Sequence, residues 1–212
     1  MTSKQPSQYF SEQPRGAEVR RTITAQVWGR ELRLITASGV FAADGLDRGT
    51  AVLLRASPIP VGKPRILDLG CGYGPIALAV AVHCPGARVD AVDVNERAVA
   101  VCRENAEALG VADRVRALRP DEVDPGTRYD EIWSNPPIRI GKQALHELLL
   151  HWLPRLAPDG VARLVVGKNL GSDTLQRWLI EQGYSCERVA SAKGFRVLLV
   201  RDETGHSQPV PR

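Results

Sequence analysis

The sequence predicts an α/β fold: a mostly parallel, seven-stranded sheet with an antiparallel last strand, preceded by a β-hairpin extension. Three observations carry that reading. From Arg65 onward, short apolar runs alternate with stretches of helical periodicity. A glycine-rich turn, Gly70-Cys71-Gly72-Tyr73-Gly74, joins the first apolar run to the first helical stretch. The last two apolar runs are separated by a tight Lys193-Gly194 turn with no helix between them, so one of the two must run against the rest. A chain of 212 residues accommodates one such domain and a small extension.

Residues 1–18 are polar and read as a flexible lead. Residues 19–64 read as a hairpin and a short helix, 65–201 as the main domain, and 202–212 as a flexible tail. In the hairpin, Val19, Ile23, Ala25 and Val27 alternate with polar residues, and Leu32 and Leu34 do the same beyond Trp28-Gly29-Arg30. Thr50–Ala56 reads as the short helix. The first core strand is Ile66–Leu69, followed by a helix over Pro75–His83, whose proline suits a first turn. Arg88–Asp93 is the second strand. Glu96–Leu109 is a helix stopped by Gly110. Val115–Leu118 and Tyr129–Ser134 are the third and fourth strands. Leu145, Leu148, Leu149, Trp152 and Leu156 recur at helical spacing and predict a helix over Gln143–Leu156. Val161–Val166 is the fifth strand, Ser172–Gln182 a helix ended by Gly183, and Tyr184–Val189 and Phe195–Val200 the closing pair.

Composition narrows the class. Hydrophobic content of 43% and charged content of 25% are those of an ordinary globular protein. No apolar run approaches the ~20 residues of a membrane helix, and the polar, proline-bearing N-terminus does not read as a secretory signal. Cys71, Cys84, Cys102 and Cys186 form no metal-ligand spacing, and the four histidines form no metal pattern. The expectation is a cytoplasmic protein with reduced thiols and no metal. A net charge of +4 allows a nucleic-acid partner.

Two motifs carry chemistry. Asn135-Pro136-Pro137-Ile138 follows the fourth strand, and the two prolines can extend neither strand nor helix. They make a stiff bracket that holds one amide and nearby carbonyls at a strand end, where open α/β sheets bind ligands. Carbonyl oxygens there suit a planar amine, either a nucleobase –NH2 or a side-chain amide. The glycine loop lets the backbone turn sharply and a ligand approach it closely. Its Gly-x-Gly-x-Gly spacing is not that of a dinucleotide fold. Asp68 before the loop opposes a diphosphate and suits a cationic amino group. Asp93, ending the second strand, suits ribose hydroxyls. A ribose and an ammonium without phosphate describe S-adenosylmethionine better than NAD. Asn95 reads either as a cofactor contact or as a helix cap. Cys71 reads as a small buried filler.

Taken in order, Asp68 to Gly74, Asp93 and Asn135 to Ile138 resemble a class I S-adenosylmethionine-dependent methyltransferase, with a Rossmann-like sheet. Ser38-Gly39-Val40-Phe41, Asp47-Arg48-Gly49-Thr50, Asn135 through Lys142, and Lys193 through Leu198 look like the "small" methyltransferase domain of the ribosomal small-subunit RNA guanine-N2 methyltransferases. The resemblance covers roughly residues 8 to 200. It implies catalysis by Asn135, Pro136 and Pro137. It implies a cofactor site at Asp68, Gly70, Cys71, Gly72, Tyr73, Gly74, Asp93, Val94, Asn95, Asp121 and Asn135. It implies substrate contacts at Phe41, Ile138, Arg139, Lys142 and Lys168. Many members carry an aromatic where Ile138 stands, so Phe41, or Tyr9 and Phe10, is the candidate stacking ring. Arg20, Arg21, Arg30 and Arg33 of the hairpin are further phosphate candidates. The expected partner is ribosomal RNA or the small subunit, with no membrane contact, and the protein a monomer or weak homodimer. Two alternatives are methyl transfer to a protein glutamine or small amine, and a non-catalytic RNA module that binds the cofactor.

Overall fold

In the computed structural model, which describes residues 18–136 and 141–203, strands β1 (Arg20–Val27) and β2 (Arg30–Ala37) pair antiparallel as a separate two-stranded sheet. Trp28 and Gly29 connect them with φ of 45° and 81°, a turn whose twist matches that of the strands. Arg30 therefore begins β2 instead of lying in the turn. Ala25, Val27, Leu32 and Leu34 are buried on one face, as their alternation requires. Helix α1 (Arg48–Ala56) follows, capped by Asp47.

The main sheet has seven strands: β3 (Arg65–Leu69), β4 (Arg88–Val92), β5 (Val115–Leu118), β6 (Tyr129–Ser134), β7 (Leu156–Gly167), β8 (Tyr184–Ala192) and β9 (Phe195–Asp202). Their order is β5-β4-β3-β6-β7-β9-β8. β9 lies antiparallel to both β7 and β8, and the pairs from β5 through to β7 are parallel. Helices α2 (Pro75–His83), α3 (Glu96–Ala108), α4 (Lys142–Trp152) and α5 (Ser172–Glu181) cover its two faces. This is a Rossmann-like sheet with the predicted antiparallel last strand and N-terminal hairpin.

Each face has its own core because side chains alternate along every strand. Ile66, Val89, Trp133, Val165 and Val197 pack with the hairpin, α1, α2 and α3. Leu67, Val92, Ile132, Leu164 and Leu198 pack with α4 and α5. The hairpin thus seals the same apolar layer that holds α2 and α3.

The helix expected over Gln143–Leu156 stops earlier. α4 ends at Trp152, a 3-10 turn covers Leu153–Arg155, and Leu156 already pairs with Tyr129 as part of β7. Pro154 explains the difference, since it lacks an N–H and cannot continue an α-helix. Leu156 keeps its apolar role from the strand instead.

One buried amide ties the hairpin to the domain. Asn105 on α3 accepts from the Ile35 N–H at 2.7 Å and donates to the Ile35 carbonyl at 2.8 Å and the Tyr73 carbonyl at 3.0 Å. It satisfies the outer edge of β2 and grips the glycine loop together. Replacing Asn105 by Ala leaves those backbone groups buried and unpaired. Asn105→Ala is expected to cost roughly 2–3 kcal/mol of unfolding free energy, read by urea denaturation against wild type.

Candidate active site

The carboxyl ends of β4, β3 and β6 come together because the strands are parallel and in register. Leu69 pairs with Val92 on one side and Ser134 on the other. The residues just beyond, Asp93, Gly70 and Asn135, therefore emerge side by side, about one strand spacing apart. The Ser134 hydroxyl donates to the Leu69 carbonyl at 2.7 Å, pinning the β6 end to the β3 end.

The glycine loop is held from both sides. Below it, Asp68 is fully buried and accepts from the Ala77 N–H at 2.9 Å. Gly74, the N-cap of α2, has no side chain to cap with, so Asp68 does that work from the strand. Its other oxygen, Oδ1, has no hydrogen-bond partner among the described residues. Burial, opposed by the Ala77 hydrogen bond and helped by nearby Asp93, pushes the Asp68 carboxyl up to about 7. Beside the loop, Asp93 accepts from the Gly72 N–H at 2.8 Å and the Asn95 N–H at 2.9 Å. Burial raises its carboxyl too, against backbone N–H groups that lower it. Val94 follows, partly exposed.

Gly74 is the position in the loop where glycine is obligatory. Its φ is +90°, and a Cβ there would stand 2.5 Å from the Cys102 sulfur. Cys71 lies against the same Cys102. Their hydrogen bond, together with burial, pushes the Cys71 thiol well up and leaves it inert as a nucleophile. The Tyr73 hydroxyl donates to the Gly45 carbonyl at 3.2 Å. Asn95 caps α3 by accepting from the Arg97 and Ala98 N–H groups, and its amide nitrogen donates to the Gly39 carbonyl at 2.8 Å. These contacts draw the segment from Ser38 to Asp47 over the loop.

Between that segment and the sheet lies a cleft lined by Phe41, Ala42, Asp47, Thr50, Gly70–Gly72, Tyr73, Pro75, Ile76 and Asn135. Phe41 stands at its mouth, 61% exposed. Asn135 reaches it from the far side. The Asn135 amide nitrogen donates to Asp47 Oδ2 at 2.7 Å and to the Thr50 hydroxyl at 3.0 Å. Asp47 and Thr50 belong to a segment that carries the family resemblance, which gives them no site role, and the strand-end pattern does not reveal their contact with Asn135. The signal was present as an N-cap aspartate opening a short helix.

Among the described residues, Asp121, Lys142, Lys168 and Pro136 are not in the lining of the cleft. Asp121 sits exposed in the 3-10 turn after β5, ion-paired with Arg119 at 3.3 Å. Lys142 opens α4 and Lys168 follows β7, and both are exposed. Pro136 is buried. Pro137, Ile138, Arg139, Tyr9 and Phe10 lie outside the described residues. In the hairpin, Arg20 pairs with Glu18 and Glu104, and Arg21 with Asp44, while Arg30 and Arg33 are exposed. Among the described residues no cluster of acidic, His or Cys side chains could hold a metal ion, and no helix is long and apolar enough to cross a membrane.

Residues 31–199 match the family model described as "Methyltransferase small domain". The protein YbxB of Bacillus subtilis is 31% identical over 193 residues, covering 90% of this chain and 96% of its own length. Ribosomal RNA large subunit methyltransferase G of Pseudomonas syringae pv. syringae is 31% identical over 206 residues, 94% of this chain and 50% of that protein. Among solved structures, the T. thermophilus 16S rRNA N2 G1207 methyltransferase RsmC, in complex with AdoMet and guanosine, superposes with a TM-score of 0.75 at 26% identity, covering 90% of this chain and 52% of that one. The chain thus spans about half the length of these two RNA methyltransferases.

The buried Asp68 sets a pH dependence. Its carboxyl holds a proton in the folded state up to about 7, whereas the unfolded group releases it near 3.8. The folded state binds the extra proton between these values, so its stability falls as pH rises through that window. Asp68→Asn removes the titration. The wild type should lose up to about 4 kcal/mol between pH 4 and pH 7 that the variant does not lose, measured by calorimetric unfolding across a pH series.

Proposed function

The chain belongs to the methyltransferase small domain family, and on that premise we propose that it moves a methyl group from S-adenosylmethionine onto an exocyclic base amine, guanine N2 of small-subunit ribosomal RNA. The observation that carries this reading is the polarity of Asn135. Its amide nitrogen is taken up by Asp47 and Thr50, so its Oδ1 is left to accept. The group it meets must then be a donor, as an exocyclic amine is.

The residues present fit the cofactor. Among the described residues lining the cleft there is a carboxylate, Asp47, and no lysine or arginine. Such a lining suits a cationic nucleoside and disfavours a diphosphate. Asp93 would hold the ribose hydroxyls and the Gly70–Gly74 backbone would carry the amino-acid portion, with Asp68 fixing that loop from beneath through the Ala77 N–H. Asp121, past the end of β5, is the proposed adenine contact. Bound there, S-adenosylmethionine would supply a methyl activated by positive sulfur, with the carbon–sulfur electron pair left on sulfur and the amine's proton released to water.

The chain's own part is orientation. An exocyclic amine is a poor nucleophile because its lone pair is delocalised into the ring. Asn135 Oδ1 and the Pro136 carbonyl accept its two N–H bonds, favour a pyramidal nitrogen, and bind the charge that grows on it more tightly than the neutral ground state. Pro137 stiffens the bracket. Phe41 is the proposed stacking ring, and Arg139, Lys142 and Lys168 the proposed phosphate contacts. The T. thermophilus neighbour, named for N2 methylation of 16S rRNA, supports the guanine reading. A second reading, an acceptor in large-subunit RNA, is favoured by the Pseudomonas relative, which matches 94% of this chain. Either substrate places the protein in the cytoplasm with the ribosome.

Tritiated methyl transfer onto separated small and large subunits from a strain lacking the gene, followed by nucleoside mass spectrometry, tests the reading. N2-methylguanosine in small-subunit RNA is the expected product, and label confined to protein would sink it. Asn135→Ala is expected to abolish transfer with cofactor affinity, read by calorimetry, unchanged. Phe41→Ala should raise the acceptor KM roughly 10-fold or more, from a lost stacking contact of about 1–3 kcal/mol, with little change in Tm.

A further inference from the structure

We infer that Asp47 is the positioning residue of the acceptor amide, an inference that rests on the role given to Asn135 above. A primary amide has two orientations of nearly the same shape. In one, Oδ1 faces the cleft and accepts. In the other, the NH2 group faces the cleft and repels an incoming amine. The Thr50 hydroxyl, 3.0 Å away, does not choose between them, because a hydroxyl both donates and accepts. Asp47, at 2.7 Å, does choose, because an ionised carboxylate can only accept. It compels the NH2 group to turn inward and Oδ1 outward.

Asp47 is itself held rigidly. The same Oδ2 caps α1 by accepting from the Thr50 N–H at 3.0 Å. A Cβ at Gly49 would stand 2.9 Å from that oxygen and 3.0 Å from the Phe195 ring, so the glycine lets α1, the carboxylate and β9 close on one another. The carboxylate also places a negative charge one hydrogen bond behind the amide. From there it polarises Oδ1 and opposes the positive charge that grows on the acceptor nitrogen, favouring the transition state over the ground state. A mere helix cap would need none of this, since serine caps as well as aspartate.

Three variants test the inference, with small subunits from a strain lacking the gene and tritiated S-adenosylmethionine as substrates. Asp47→Ser keeps a cap but is too short to reach Asn135. Asp47→Asn keeps the shape but loses the charge and the fixed polarity. Each should lower kcat roughly 10- to 100-fold, with S-adenosylhomocysteine affinity within twofold of wild type and Tm within a few degrees. The double variant Asp47→Asn with Asn135→Asp exchanges amide and carboxylate and leaves an acceptor facing the cleft. It should recover at least tenfold in kcat over Asn135→Asp alone, which sets two carboxylates together. If Asn135→Ala is inactive while Asp47→Asn and Asp47→Ser turn over like wild type, the positioning role is overturned and the role of Asn135 stands. If kcat falls only in step with cofactor affinity or Tm, Asp47 is a cap and the inference is also overturned. If Asn135→Ala itself turns over normally, the role given to Asn135 fails first.

Discussion

The site depends on the parallel register of three strands. Leu69 is level with Val92 and with Ser134, and each strand delivers its next residues to the same edge. A parallel sheet cannot slip by one residue without moving each buried side chain to the opposite face and unpacking both cores. The two cores, drawn from alternate residues of the same strands, therefore lock the register of a polar cluster that contributes little to either core. Gly70, Asp93 and Asn135 need no direct bonds with one another to stay neighbours. Packing elsewhere positions them.

The hairpin and its following segment complete what the sheet begins. A doubly wound sheet leaves an open crevice at its carboxyl edge. Here the segment from Ser38 to Asp47 is drawn across that edge by Asn95, Arg97 and Tyr73. Asn105 fixes the hairpin at one end and the capped start of α1 fixes the other. The wall facing the glycine loop is thus tied at intervals along its length through its own backbone carbonyls.

Much of this was legible in the sequence. The period-two alternation of the hairpin, the apolar runs of β3 through β9 and the glycines of the loop each follow from local chemistry, and the elements form where that chemistry places them. What was not legible required knowing what lies opposite. Leu156 continues a helical stripe by spacing, and Pro154 overrules the stripe. Asp68 reads as a carboxylate facing a ligand, yet in the fold its Oδ2 caps α2, because Gly74 leaves that helix without a capping side chain. Asn95 leaves two readings open, and the fold uses it as a cap and a tie at once. Asp47 lies 88 residues from Asn135 in the chain, and no pattern within a window of either residue announces that they touch. Long-range polar pairs of this kind are the part of a site that periodicity does not encode.

The position of β9 has a consequence for how the molecule comes into being. β9 is later in the chain than β8 but sits between β7 and β8, and its first residue, Phe195, closes against Gly49 beside Asp47. A growing polypeptide that has emerged only through β8 has no place to dock that strand, since its neighbour does not yet exist. The gap is one strand wide and bordered by unpaired backbone groups. The sheet becomes continuous only when β9 pairs with both β7 and β8, and the same strand brings Phe195 against Gly49 beside the Asp47 carboxylate. A chain truncated before β9 would end its sheet at β7, a central strand left with an unpaired edge, which favours aggregation.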